Sequence, residues 1–349
     1  MNNVMYIFPG QGSQYQGIGH DIYNDFVVAR NVYDQASSIL GYDITELSFN
    51  DPKNKISLTE YTQPVLLTHQ VACYRVFNEL TNDSIQPSLA AGHSLGEYTA
   101  LVVSGSLSFE QALHLVRKRG QLMSQYGQGS MLAMPIEQEE AKRFSEKFNC
   151  QVATINLLKQ TVIGGMDHDI DACQKAFQDI FPKKRTVKLD TEGAFHTDLM
   201  REAAEQFVMH LDEVNFASSD LKVLSNFTSD CHQQDGSLTR ELLYKQLYRP
   251  VDWLGCMKTA TAFNVDIIVE FGGGIGTGAL PKEKRPNLES ITKKNITKYI
   301  SHMASCIEVV GYRQRKKGIT SFGDLCSDFG ANVKQFVLNK KFQANNIKE

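Results

Sequence analysis

The sequence predicts an α/β fold built around a parallel sheet, and three observations carry that expectation. Short apolar runs alternate with amphipathic stretches of helical period along most of the chain. Two of these runs close on glycine-rich turns, Pro9-Gly10-Gln11-Gly12 and Gly272-Gly273-Gly274. Between a further apolar run and a helix-like one lies Gly92-His93-Ser94-Leu95-Gly96, a Gly-X-Ser-X-Gly pentapeptide suited to a sharp strand-to-helix turn.

Taken in order, residues 4–8 form a first strand that ends at Pro9. A helix follows over about 27–40 and stops before Gly41. Residues 64–80, rich in Leu, Val and aromatics, form another helix. The apolar run 87–91 leads into the serine turn, and 97–103 continues as a helix. The next helix begins near Ser108, where Ser108 and Gln111 are spaced as a capping box. A strand-turn-helix section covers about 131–187, and a long helix occupies 197–211. Late strands fall at 221–224 and 267–271. The chain has no internal repeat and no low-complexity segment.

With 349 residues, about two units of unequal size are expected. Hydrophobic residues at 42% and charged ones at 21% fit a globular protein with a full core. No apolar stretch approaches the roughly 18 residues of a membrane span. The first residues lack the basic start and apolar segment of a signal peptide. Seven scattered cysteines, an odd number without a Cys-X-X-Cys pair, read as buried or incidental thiols in a reducing cytoplasm. Charge is uneven: from residue 281 onward there are 14 Lys/Arg against 6 Asp/Glu, which leaves −11 on the first 280 residues. A basic C-terminal region of this kind attracts an acidic partner protein or a nucleotide phosphate, or serves only as a solvated extension. No nucleic-acid motif accompanies it. The Gly272-Gly273-Gly274 turn lacks the Lys-Ser/Thr of a phosphate-binding loop.

A serine on a strand-to-helix turn has its hydroxyl exposed, beside free backbone N–H groups and the positive end of a helix dipole. That arrangement can stabilise an oxyanion, although a purely structural glycine turn gives the same local sequence. In the helix from Ser108, residues Ala112, Leu115, Val116, Leu122 and Met123 share one face, and Arg119 lies on that stripe. A buried guanidinium needs a carboxylate, from either the protein or a substrate. Of nine histidines, His196 stands out as the candidate base, because Gly193-Ala194-Phe195 places it where a turn becomes a helix. His93 adjoins the serine, but its side chain should leave the turn in another direction.

Phe8-Pro9-Gly10-Gln11-Gly12-Ser13-Gln14, Thr62-Gln63-Pro64 and the serine pentapeptide with Glu97-Tyr98 resemble the malonyl-CoA:acyl-carrier-protein transacylase family. So do Arg119-Gly120, Gly193-Ala194-Phe195-His196, Ser225-Asn226 and the run from Gln246 to Trp253. These blocks occur in the family's order over roughly residues 4–280.

The resemblance implies an α/β-hydrolase-like large subdomain at 1–127 and 195–285, with a ferredoxin-like small subdomain inserted at 128–194. A basic C-terminal extension, 286–349, completes the division. Ser94 would be the nucleophile that carries the acyl group, and His196 its base. The histidine would be oriented by the Gln246 carbonyl, so that Asp190 and Glu192 are solvated. Backbone N–H groups of Gln11 and Leu95 would form the oxyanion hole. Arg119 would bind the malonyl carboxylate, Gln63 would line the pocket, and Asn156 would lie in the small subdomain. Phe195 would disfavour an α-branched acyl group.

Malonyl-CoA and an acyl carrier protein are the implied partners, with no metal or redox cofactor, no nucleic acid and no membrane. The pathway would be fatty acid or polyketide synthesis, the latter through a free-standing acyltransferase of a polyketide synthase. Other readings are a proofreading thioester hydrolase, a transacylase for another acyl-CoA, and a silent docking subunit. The chain departs from the family pattern at Leu157-Leu158-Lys159-Gln160, at Gly272-Gly273-Gly274 and in the residues after Pro281.

Overall fold

The computed structural model describes residues 3–232, 235–265 and 267–272, together with 288, 291, 292, 294, 295 and the backbone of 305–309. The chain opens with β1 (Val4–Phe8), α1 (His20–Asp25), α2 (Val27–Leu40), α3 (Ile44–Phe49), α4 (Thr59–Thr81) and β2 (Leu89–Gly92). It continues through α5 (Gly96–Val103), α6 (Phe109–Gln125), β3 (Ser130–Met134), α7 (Gln138–Glu146), β4 (Gln151–Leu157), β5 (Gln160–Gly165), α8 (Asp167–Ile180) and β6 (Val187–Leu189). After a 3-10 turn at Asp198–Met200 come α9 (Arg201–Asp212), β7 (Lys222–Leu224), α10 (Gly236–Tyr248), β8 (Val251–Asp252), α11 (Trp253–Ala262), β9 (Ile267–Phe271) and β10 (Ser305–Val309).

One sheet has the order β10-β9-β1-β2-β7, and every pairing in it is parallel. The expected parallel α/β core is therefore present. Both faces of β1 are covered: Met5 and Ile7 pack into one apolar cluster, Val4, Tyr6 and Phe8 into another. Burial on both sides is why β1 reads as an unbroken apolar run instead of an alternating one.

The second sheet has the order β6-β3-β5-β4-β8. Its first four strands pair antiparallel and, with α7 and α8, follow the β-α-β-β-α-β order of a ferredoxin-like unit. Leu132, Met134, Ile163, Ile170 and Phe177 form its own core. One strand of that sheet comes from elsewhere in the chain. Val251 and Asp252 of β8 pair parallel with Thr154 and Ile155, so the segment after α10 crosses to the small sheet. The divergent Leu157-Leu158-Lys159-Gln160 is the β4–β5 hairpin.

Two helix starts differ from expectation. The helix expected from Pro64 begins at Thr59, and Pro64 lies within it. Leu58 O already accepts from Tyr61 N and Thr62 N at 2.9 and 2.8 Å, so the first turn is formed before the proline is reached. The helix expected over 197–211 opens as a 3-10 turn, capped by Thr197, before α9. The Ser108 cap is present: Ser108 Oγ accepts from Gln111 N at 3.2 Å. Cys73, Cys150, Cys173 and Cys256 are buried free thiols, and Cys231 is half-buried. Among the described residues no helix is long and apolar enough to cross a membrane. Most of the basic segment 286–349 lies outside the described residues; within it, β10 lies beside β9.

Candidate active site

The serine turn joins β2 to α5 at the C-terminal edge of the parallel sheet. Ser94 has a φ of 51°, in the left-handed region. The turn closes so tightly that a Cβ on Gly92 would lie 1.8 Å from the Gly96 carbonyl carbon, and one on Gly96 would lie 2.0 Å from Phe8 O. Only glycine fits at either position. Asn226, just beyond β7, ties the turn together. Ser94 N donates to its Oδ1 at 2.6 Å, while its Nδ2 donates to Gly92 O at 2.6 Å.

His196 reaches the serine from the start of the second half of the chain. Its Nε2 lies 2.8 Å from Ser94 Oγ, and its Nδ1 lies 2.7 Å from Gln246 O. A carbonyl can only accept, so the proton sits on Nδ1 and Nε2 is free to take the serine proton. Burial, then the nearby Arg119 charge, lowers the His196 pKa to about 3. The imidazole is thus neutral at rest.

Arg119 projects from α6 into the same place and is only 1% exposed. Its Nη1 donates to Gln63 Oε1 at 3.0 Å; its Nη2 donates to Ser94 Oγ at 3.1 Å and Gln246 Oε1 at 3.0 Å. Its Cζ lies 5.5 Å from the centre of the Tyr98 ring, and Nε is buried without a partner among the described residues. No carboxylate of the described residues forms an ion pair with it. Burial pulls the guanidinium below its ordinary pKa, with Tyr98 and Glu97 opposing that pull.

Gln11 stands beside this cluster, its Nε2 donating to Thr59 Oγ1 at 3.1 Å. Leu95, which follows the serine, Phe195, which precedes the histidine, and Gln63, bonded to Arg119, are all buried. No bond within the described residues occupies the backbone N–H of Gln11 or Leu95. Asn156 lies on β4 of the small sheet, and its Oδ1 is 2.9 Å from His93 Nε2. That bond turns His93 away from the serine and joins the small sheet to the turn.

Two placements escaped the sequence reading. Glu192 is half-buried and not free in solvent: its Oε2 accepts from Thr59 N at 2.5 Å and its Oε1 from Ser124 Oγ at 3.1 Å. It satisfies an orphan N–H at the start of α4, a demand that local sequence does not reveal. Asp190 is exposed as expected. Glu97 is fully buried and bonded to Gln246, Asn226 and His232, although His232 has no distinguishing sequence context. Asn226 was legible only as part of a motif. Among the described residues, no cluster of three or more His, Cys, Asp or Glu side chains offers a metal site.

A serine on a tight strand-to-helix turn, a neutral histidine on its hydroxyl and free backbone donors beside it are, on an α/β fold, an arrangement that can carry out acyl transfer. Residues 5–270 match the acyl transferase domain family. The malonyl CoA-acyl carrier protein transacylase of Bacillus subtilis is 33% identical over 300 residues, covering 83% of this chain and 93% of that protein. The polyketide biosynthesis malonyl CoA-acyl carrier protein transacylase BaeC of Bacillus velezensis is 33% identical over 254 residues, 72% and 86% of the respective chains. A solved malonyl-transacylase in complex with its type II polyketide synthase acyl carrier protein superposes with a TM-score of 0.78 at 30% identity, covering 87% of this chain and 96% of that one. The chain belongs to the malonyl CoA-acyl carrier protein transacylase family.

Proposed function

We propose that this chain moves a malonyl group from malonyl-CoA to the phosphopantetheine thiol of an acyl carrier protein, through an ester on Ser94. The observation that carries the reading is a buried Arg119 that touches Ser94 Oγ and pairs with no carboxylate of the described residues. A guanidinium in that position suits an acyl group that brings its own carboxylate.

In the first half-reaction Ser94 Oγ attacks the thioester carbonyl carbon as its proton passes to His196 Nε2. The carbonyl oxygen, now negative, takes the N–H groups of Gln11 and Leu95. The C–S bond breaks as His196 Nε2 gives that proton to the sulfur, so coenzyme A leaves as the free thiol and the imidazole is neutral again. In the second half the carrier thiol gives its proton to the same nitrogen and its sulfur attacks the ester. Ser94 Oγ then leaves and recovers the proton. Gln246 O holds the imidazole through both halves, with Gln63 orienting Arg119. Phe195 narrows the space beside the α-carbon and disfavours methylmalonyl. Asn156 keeps the small sheet against the serine turn. This chemistry calls on no metal or redox cofactor. A cytoplasmic setting, where malonyl-CoA and carrier proteins meet, fits it, and the basic residues after 281 are candidate contacts for an acidic carrier.

The test is a reaction of malonyl-CoA, a phosphopantetheinylated acyl carrier protein and catalytic amounts of this chain, read by intact mass of the carrier. The proposal expects a malonyl-carrier product, with methylmalonyl-CoA a much poorer donor. Release of free malonate without a carrier product would instead establish a hydrolase.

A further inference from the structure

Gln246 touches both halves of the site, so whatever fixes Gln246 fixes both. Its backbone O accepts from His196 Nδ1, and its side-chain Oε1 accepts from Arg119 Nη2. Its Nε2 donates to Ser94 O at 2.8 Å and to Glu97 Oε2 at 2.9 Å. An amide side chain fits its cavity in either of two senses, and only one presents oxygen to Arg119. The Ser94 carbonyl and the Glu97 carboxylate both take only donors, so together they admit only the sense that serves the arginine.

Glu97 is itself 0% exposed and saturated with donors. Oε2 also accepts from Asn226 N at 3.0 Å, and Oε1 lies 2.7 Å from His232 Nε2. A buried carboxylate is costly unless bonded and balanced by opposite charge. In this network the side chain of fixed positive charge is Arg119, reached through the Gln246 amide, while His232 bonds the carboxylate directly. A carboxylate seated on Arg119 itself would occupy the donors proposed for the substrate.

The geometry points to Glu97 as a positioning residue, which with Ser94 O fixes the sense of the Gln246 amide and supplies Arg119 with a counter-charge at one amide's remove. His232 holds the other carboxylate oxygen and keeps Glu97 in place. The inference rests on the reading of Arg119 as the malonyl contact.

The experiment measures acylation of Ser94 by intact mass in single turnovers, over a range of malonyl-CoA and acetyl-CoA concentrations, for wild type, Glu97→Ala and Glu97→Gln. Glu97→Ala removes one of the two acceptors that hold the Gln246 amide nitrogen and leaves Asn226 N and His232 without their partner, so acylation by both donors should fall on the order of tenfold. Glu97→Gln keeps an acceptor for Gln246 but removes the charge, leaving Arg119 to the substrate carboxylate alone. The ratio of kcat/KM for malonyl-CoA over acetyl-CoA should then rise on the order of tenfold, mainly through a lower KM for malonyl-CoA. A residue that merely supports the fold would not move that ratio. Circular dichroism and melting establish that each variant is folded; if Glu97→Ala is not, the Glu97→Gln ratio decides. An unchanged ratio in Glu97→Gln, or wild-type rates in folded Glu97→Ala, would overturn the inference while leaving the malonyl reading intact. A wild type that takes no malonyl group would overturn both.

Discussion

Ser94 and His196 both hold backbone conformations that cost a non-glycine residue about 1–3 kcal/mol, at φ 51° and 61° respectively. The strain points the two side chains at each other, and Asn226 restrains the serine end of it. Asn226→Ala leaves Ser94 N and Gly92 O without their partner, so folding stability should drop by about 1–3 kcal/mol and acylation of Ser94 should slow. A urea titration beside a single-turnover rate checks this, and an unshifted urea midpoint would contradict it. The same scale shows what the sequence could record. Ser94, His196 and Arg119 each sit in a local pattern: a pentapeptide, a turn before a helix, a cation on an apolar stripe. Asn226, Glu97 and His232 make their decisive bonds to residues more than 100 positions away. No local spacing encodes such partners.

At the scale of elements, α4 shows how a distant side chain decides where a helix begins. The run rich in Leu, Val and aromatics placed a helix over 64–80, yet α4 opens at Thr59. Glu192 holds that start by accepting from Thr59 N, and it also binds Ser124 near the end of α6. Because Thr59 Oγ1 in turn accepts from Gln11 Nε2, the cap reaches the residue proposed to bind the oxyanion. Glu192→Ala should lower stability by about 0.5–2 kcal/mol, the range for a lost cap, and should lower kcat with a smaller change in KM. Chemical denaturation and initial rates test both halves; a protein unchanged in each would remove Glu192 from this account. β8 carries a similar lesson. At two residues it is too short to announce itself by alternation, and only its pairing with β4 reveals it.

Over the whole molecule, neutral buried histidines set how acid affects the fold. Burial depresses the pKa of both His69 and His196 to about 3, with the Arg119 charge adding to the effect at His196. Between about pH 6.5 and that value the unfolded chain binds protons that the folded chain refuses. Their contribution to stability is therefore fully present above about pH 6.5 and is lost as pH falls towards 3, at about 1.4 kcal/mol per pH unit for each histidine. Urea midpoints between pH 7 and 4 measure the slope. His69→Gln should make it shallower by one histidine's worth, whatever the substitution costs at neutral pH, and an identical slope would exclude His69. The fold class was legible because β1, β2 and, apart from Glu270, β9 are apolar on both faces, the mark of a parallel sheet covered on both sides. The small subdomain was legible mainly through family resemblance, since its strands and helices alternate with the same periods as the rest.

The most direct test of the central claim is the intact mass of the protein after brief exposure to malonyl-CoA, for wild type, Ser94→Ala and Arg119→Ala. This account predicts one malonyl adduct on the wild type, none on Ser94→Ala, and a sharply reduced malonyl adduct on Arg119→Ala while acetyl-CoA still labels it. An adduct that survives Ser94→Ala, or one formed equally well without Arg119, would contradict it.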